Sequence, residues 1–268
     1  MGTDRDRTES DGAPPDSVRV DAFLASPNFG ARANGRRPDS VVLHYTGMPT
    51  ADGALAWLCN PTSEVSCHYF VFEDGRTVQL VREADRAWHA GRGAWQGETD
   101  MNSASIGVEI ANPGHDGGCP PFPEAQVDGV IALLRDILDR RAIPARRVIA
   151  HSDMAPERKR DPGEGFPWRR LHEAGVAHWV EPAPVEDDAP WRPASEGAAV
   201  RGLQAQLALY GYTVAQSGIL DRQTTLCVAA FQRRFRPARV DGLPDASTRD
   251  TLARLVATGV RGKATPDA

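Results

Sequence analysis

At 268 residues, 41% hydrophobic and 25% charged, the chain can bury one sizeable core and still build a second, smaller one. A formal net charge of -5 provides no basic stripe to neutralise phosphates, which excludes nucleic acid as an expected partner. No apolar run approaches the roughly 20 residues that cross a bilayer, so no membrane span is expected.

Residues 1–17 are acidic, polar and proline-containing without a hydrophobic signal core, and they read as a flexible tail. Cys59, Cys67, Cys119 and Cys227 lack CxxC spacing, which argues against a thiolate zinc cluster and against a disulfide-stapled scaffold. Both features favour the cytoplasm, with the periplasm as the alternative.

Residues 18–182 carry nearly all the strand-like runs. Strands are expected over Val41–Tyr45, Ser66–Phe72, Thr77–Val81, Ile106–Ile110 and Arg147–His151, with Asp74-Gly75 marking a tight hairpin. A short helix is expected from Asp52 to Leu58. A longer one from Glu124 to Arg141 follows from Val127, Val130, Ile131, Leu134, Ile137 and Leu138 on one face. Strands interleaved with covering helices give an α/β domain with a mixed central sheet flanked by helices.

The Pro- and acid-rich stretch after Glu181 breaks this pattern, and 183–197 reads as a linker. Within 198–258, apolar residues at helical spacing around Val200–Tyr210, Leu226–Phe235 and Leu252–Val256 predict a small three-helix domain, followed by a tail over 259–268. This part contains a short repeat, Gly218-Ile-Leu-Asp-Arg-Gln-Thr224 and Gly242-Leu-Pro-Asp-Ala-Ser-Thr248. Each copy places an Asp, Asp221 or Asp245, where it can cap the next helix.

Three of the expected strands end on a polar residue after an apolar run: His44, Glu109 and His151. If the strands are neighbours, these side chains converge at one sheet edge, where α/β folds place their chemistry. Past His151, Pro162 pushes Asp161 into an extended conformation, so Lys159 and Asp161 share a face. Two imidazoles and a carboxylate with a fourth position for water suit catalytic zinc, although spacing alone fits a satisfied strand-end histidine equally well.

The segments Leu43-His-Tyr-Thr46, Val65-Ser-Cys-His-Tyr69, Ala87-Trp-His-Ala-Gly91, Ser105-Ile-Gly-Val-Glu109, Ala150-His-Ser-Asp-Met-Ala-Pro156 and Lys159-Arg-Asp-Pro-Gly163 stand in the order of a known family. The stretch Val41–Trp168 resembles the zinc-dependent N-acetylmuramoyl-L-alanine amidases, a superfamily that includes phage-type amidase lysozymes and peptidoglycan recognition proteins. The resemblance implies one zinc ion held by His44, His151 and Asp161, with Glu109 as the acidic catalytic residue and Lys159 as the cation beside the reacting carbonyl. It also suggests that the loop with Trp88 and His89 lines the substrate groove. Asn112 is a candidate for hydrogen-bonding a glycan or peptide amide, or else a turn residue before Pro113.

Phage-type members carry a catalytic tyrosine where Cys67 stands here, which throws the general-base role onto Glu109. Cys67 and His68 point to opposite faces of a strand and cannot form a nucleophile-base pair, so His68 is expected to pack in the core or to lie behind the metal. His115, His172 and His178 are expected to be surface or packing residues. The carboxyl part resembles the three-helix peptidoglycan-binding module through Leu203-Gln204, Gly211-Tyr212, Thr224, Phe231-Gln232, Asp241-Gly242 and Thr248. It departs from that module where Asp221 and Asp245 replace glycine and Ser217 replaces the first aspartate.

The implied activity is hydrolysis of the bond between the muramic acid lactyl group and L-alanine in peptidoglycan or its fragments, as in wall degradation or recycling, by a monomer. The alternatives are a non-catalytic recognition protein, which would typically lose a zinc ligand, and a zinc peptidase cutting within the stem peptide.

Overall fold

The computed structural model describes residues 14–186 and 189–260. Residues 1–13 of the expected tail, Asp187 and Asp188 of the linker, and 261–268 of the carboxyl tail lie outside the described residues.

In chain order the strands are β1 (Ala22–Phe23), β2 (Phe29–Ala31), β3 (Ser40–Tyr45), β4 (Tyr69–Val71), β5 (Thr77–Gln79), β6 (Asp85–Ala87), β7 (Ser105–Ile110) and β8 (Val148–Ala150). The helices are α1 (Ala51–Leu58), α2 (Met101–Ala104), α3 (Glu124–Arg141), α4 (His151–Met154), α5 (Trp168–Glu173), α6 (Ala198–Tyr210), α7 (Arg222–Phe235) and α8 (Ala246–Val260). Among the described residues, one six-stranded mixed sheet runs β1-β5-β4-β7-β3-β8, and β2 pairs with β6 in a separate ribbon.

The centre of the sheet is parallel. β3 lies between β7 and β8, and Val41, Val42 and Leu43 are wholly buried because both faces are covered. β4 shows the alternation that sorts those faces: Tyr69 and Val71 enter the core shared with Val130, Leu134 and Ile137 of α3, while Phe70 joins Ala54 and Leu58 of α1. The hairpin at Asp74-Gly75 is present, with Tyr69–Val71 antiparallel to Thr77–Gln79.

The expected strands are longer than the paired ones. Ser66 and His68 spend their N–H groups on Trp88 and Gly107 carbonyls just before β4 begins. β8 stops at Ala150, and His151 is the first residue of α4 rather than the last of a strand. Asp16 and Ser17, which composition assigns to the tail, are packed: the Asp16 carboxylate accepts from the Gln79 amide and the Glu83 N–H, and Ser17 is buried.

The repeat in the carboxyl part has a structural cause. In each copy a buried glutamine on the preceding helix is wrapped by the repeat loop. Gln204 accepts the Gly218 N–H and donates to Ile219 O and Thr224 Oγ1, and Gln232 accepts the Gly242 N–H and donates to Leu243 O and Thr248 Oγ1. Asp221 and Asp245 accept the N–H groups of Thr224 and Thr248, closing the first turns of α7 and α8.

These helices share one continuous core with the sheet region. The Trp95 ring packs at 5.7 Å from Tyr210 and 5.0 Å from Tyr212, and Phe231 and Phe235 belong to the same cluster as Val148 and Trp168. The linker is laid along α8: the Ala183 N–H donates to Thr251 Oγ1, its carbonyl accepts from Ser247, and Arg249 covers the Trp191 ring.

Gly75 has φ of +88°, and a Cβ there would come within 2.5 Å of the Ala125 carbonyl at the start of α3. Gly75→Ala should therefore cost about 2 kcal/mol of stability. Denaturant unfolding measures this, and a cost near zero would mean that the hairpin does not press on α3 as described.

Candidate metal centre and active site

Parallel pairing decides which polar residues meet. The register sets His44 on β3 beside Glu109 on β7, and Leu43 beside Ala150 on β8, so the carboxyl ends of three adjacent strands present Glu109, His44 and His151 along one edge. The Lys159–Asp161 segment returns over this edge, tied down by the Ser152 N–H donating to the Asp161 carbonyl at 3.0 Å.

At the centre, His44 Nδ1 lies 2.9 Å from His151 Nδ1 and 3.1 Å from Asp161 Oδ2, and His151 Nδ1 lies 2.9 Å from the same oxygen. The outer ring atoms define the tautomers. His151 Nε2–H donates to the Ala90 carbonyl at 2.9 Å, which turns Nδ1 toward His44 and Asp161. His44 Nε2–H donates to His89 Nδ1 at 3.0 Å, and the His89 Nε2–H faces Ser105 Oγ at 3.4 Å.

Two imidazole nitrogens and a carboxylate oxygen thus converge on one point. Burial, reinforced by His151, lowers His44 to about 4, so its imidazole is neutral at ordinary pH. Burial alone would raise Asp161, but the two histidines hold it well below the usual carboxylate range. A cluster of two imidazoles and one carboxylate, all buried, could hold a metal ion, and the donor set fits zinc.

Glu109 differs from Asp161. Its Oε2 is buried without a hydrogen-bond partner among the described residues, and burial, then the Asp161 charge, push its carboxyl well above the usual range against the pull of Lys159. Glu109, Lys159, Trp88 and the metal-centre residues line one open cleft of about 390 Å³. Its lining includes the basic Arg158, Lys159 and Arg160 and the apolar Met48, Trp57 and Val65.

The remaining expected site residues fall in different places. His89 reaches the cleft, but both ring nitrogens are used behind His44 and Ser105, so it holds a ligand candidate in place. Asn112 lies outside the cleft lining and serves its own loop: Oδ1 accepts the Gly114 N–H and Nδ2 donates to Pro120 O, which is the turn role. His68 packs in the core, accepting the Gly107 N–H and donating to Asp85 O. Cys67 is wholly buried against Ala54, Leu58 and Phe70, and burial, then Glu109, raise its thiol well above the normal range, so it is inert packing.

Two features escaped sequence reasoning. His115 has partners: its Nδ1 meets Tyr45 Oη at 2.8 Å and its Nε2 meets Glu164 at 3.0 Å, clamping the residue after His44 to the loop after Asp161. The glycine in Ser105-Ile-Gly-Val-Glu109 also has a reason to be there. A Cβ on Gly107 would stand 2.3 Å from the His89 ring, so only glycine leaves room for the group that orients His44. A motif glycine inside a strand was the available signal.

A family model described as N-acetylmuramoyl-L-alanine amidase matches residues 34–164, and one described as a peptidoglycan binding domain matches residues 196–252. The N-acetylmuramoyl-L-alanine amidase AmiD of Escherichia coli is 36% identical over 251 residues, covering 89% of this chain and 90% of that protein. The 1,6-anhydro-N-acetylmuramyl-L-alanine amidase AmpD of Enterobacter cloacae is 33% identical over 57% of this chain and 89% of that protein. Among solved structures, the complex of the Escherichia coli AmiD amidase with anhydro-N-acetylmuramic acid-L-Ala-D-gamma-Glu-L-Lys superposes with a TM-score of 0.71, at 36% identity, over 85% of this chain and 92% of that one. AmpDh3 from Pseudomonas aeruginosa gives a TM-score of 0.69 at 29% identity, over 84% of this chain and 94% of that one.

Gly107→Ala should displace the His89 ring, free His44 to rotate and weaken metal binding by about tenfold. Titration with Zn2+ against a chromophoric chelator gives the number, and wild-type affinity would show that His89 does not hold His44.

Proposed function

The chain belongs to the N-acetylmuramoyl-L-alanine amidase family, and from that premise we propose that His44, His151 and Asp161 hold one zinc ion with which it works. It is an amidase that hydrolyses the bond between N-acetylmuramic acid and L-alanine in peptidoglycan or its fragments. The observation that carries the metal assignment is the meeting of two imidazole nitrogens and a carboxylate oxygen, all buried, within 3.1 Å of one another.

Zinc bound there supplies a Lewis acid for the scissile carbonyl and a means of activating water. The protein supplies the rest. Glu109, with an unspent buried oxygen on the cleft wall, takes the proton of the attacking water and delivers it to the departing L-alanine nitrogen. Burial suits it to this, because a carboxyl raised toward neutrality both accepts and releases a proton readily. The Lys159 ammonium in the same cleft meets the negative charge that gathers on the carbonyl oxygen. Trp88 borders the groove where the sugar or peptide lies.

A recognition protein without turnover is disfavoured because all three ligand positions, Glu109 and Lys159 are present together. The division into a catalytic region over 18–182 and a helical module over 198–258, joined by 183–197, is supported by the separate family matches at 34–164 and 196–252. The chain is taken to act as a monomer. No helix among the described residues is long and apolar enough to cross a membrane. Four free thiols favour a reducing compartment, the cytoplasm, with the periplasm as the alternative.

Incubation with defined muropeptides, with and without a chelator, followed by mass analysis tests the reading. Stem peptides beginning at L-alanine should appear, and only when metal is present; cleavage inside the peptide would sink it. His44→Ala should lose both zinc and turnover. Glu109→Gln should keep zinc and lose about 10²–10⁴-fold in rate, and full activity there would remove Glu109 from its role.

A further inference from the structure

The turn that carries His151 is gripped from outside the sheet region. Asp153, the third residue of α4, is buried, and its Oδ2 accepts the Ala150 N–H at 3.0 Å, closing the start of the helix. Its other partners come from the carboxyl helices. Tyr212 Oη donates to Oδ1 at 2.6 Å, and Arg234 Nη1 of α7 donates to Oδ2 at 2.5 Å.

Arg234 holds more than the carboxylate. Its side chain is 1% exposed, its Nη2 donates to the Val148 carbonyl at 2.9 Å and the His178 carbonyl at 3.1 Å, and its guanidinium lies 4.1 Å from the Trp168 ring centre. Val148 opens the strand that leads to His151, and Asp153 follows His151 by two residues. One guanidinium therefore fixes the segment at both ends.

A buried ion pair is a poor device for stability alone, since desolvating both charges offsets most of their attraction and a well-packed apolar pair often does as well. What it provides is direction: a planar fork that engages a carboxylate and a carbonyl in one geometry. Such constraint matters most where a side chain must be held within a fraction of an ångström, as a metal ligand must.

We propose that Arg234 and Tyr212 are positioning residues for the metal centre: by clamping Asp153 and Val148 they set α4, and with it the His151 ring. The carboxyl helices thereby belong to the catalytic apparatus as well as to any wall-fragment binding they perform. This inference rests on the reading of His151 as a ligand.

The full-length chain is titrated with Zn2+ against a chromophoric chelator and examined by visible absorption after loading with Co2+. Arg234→Met should weaken Zn2+ by about tenfold and change the Co2+ spectrum. Tyr212→Phe, which deletes one hydroxyl and decides the matter if Arg234→Met fails to fold, should shift both in the same direction by less. Arg236→Met breaks an equally buried pair with Asp245 inside the helical region, so it should lower Tm and leave Zn2+ affinity and the Co2+ spectrum unchanged. Wild-type affinity and spectrum in the Arg234 and Tyr212 variants, or an equal loss in Arg236→Met, would overturn the coupling. His151→Ala separates the two possible failures: if it retains wild-type Zn2+ affinity, the ligand assignment fails, and if it abolishes binding, only the coupling is at stake.

Discussion

Three potential metal-ligand atoms aimed at one another form the constraint around which this molecule is organised. His44 Nδ1, His151 Nδ1 and Asp161 Oδ2 lie within 3.1 Å of one another, buried. Such a cluster favours a cation and resists closing without one, so the surrounding structure must fix each member independently. It does so by using the far side of every group. Ala90 O holds His151, His89 holds His44, and the Asn102 amide oxygen accepts the N–H groups of both His89 and Ala90, so one side chain steadies the loop behind both rings. Gly107 is the steric counterpart of that arrangement, the missing side chain that lets His89 stand where it does.

Two carboxylates, one within this centre and one beside it, are driven in opposite directions by their surroundings. Asp161 sits between imidazoles and is held anionic against its own burial, which suits a ligand. Glu109 has no hydrogen-bond partner for Oε2 among the described residues and is backed by the buried Cys67, so burial raises it, which suits a proton carrier. Divergence of this kind between neighbouring acids is how one site separates a group that stays charged from one that trades protons. The same comparison explains why Cys67 is tolerated in place of a catalytic tyrosine. With Glu109 already tuned by an apolar backing, an inert thiol completes that backing, and the proposed mechanism asks nothing more of the position.

What could be read from the sequence was what is written locally. The β3, β7 and β8 runs are legible because each is a short apolar stretch that ends on a polar residue, and α3 because its apolar positions recur at helical spacing over Glu124–Arg141. The convergence of His44, Glu109 and His151 needed only the further assumption of neighbouring parallel strands. Features that depend on partners remote in sequence were not legible. His89 does line the cleft, but nothing in Ala87-Trp-His-Ala-Gly91 says that its ring also holds His44. His115 looked idle because Tyr45 is 70 residues away, and nothing near Asp153 in the sequence points to Arg234, 81 residues away. Asn112 was read as either a substrate contact or a turn residue before Pro113, and its partners Gly114 and Pro120 are local, as an Asx turn requires.

The carboxyl helices show how composition and packing can point to different arrangements. A Pro- and acid-rich segment between two family matches suggests a tether, and a tether would hold a binding module near its enzyme while leaving its orientation free. Here the segment is bonded along α8 through Ala183, and the module shares its core with the sheet around Trp95, Trp168 and Phe231. Fixed attachment gives up reach but removes the entropy of orienting the two parts, so any fragment that touches both would meet surfaces already aligned. It also makes the helices answerable for the shape of the catalytic edge. With Arg234 reaching through the interface to the turn after β8, the module cannot move away without withdrawing the guanidinium from Asp153 and Val148 and leaving a buried carboxylate beside the metal centre without its charge partner.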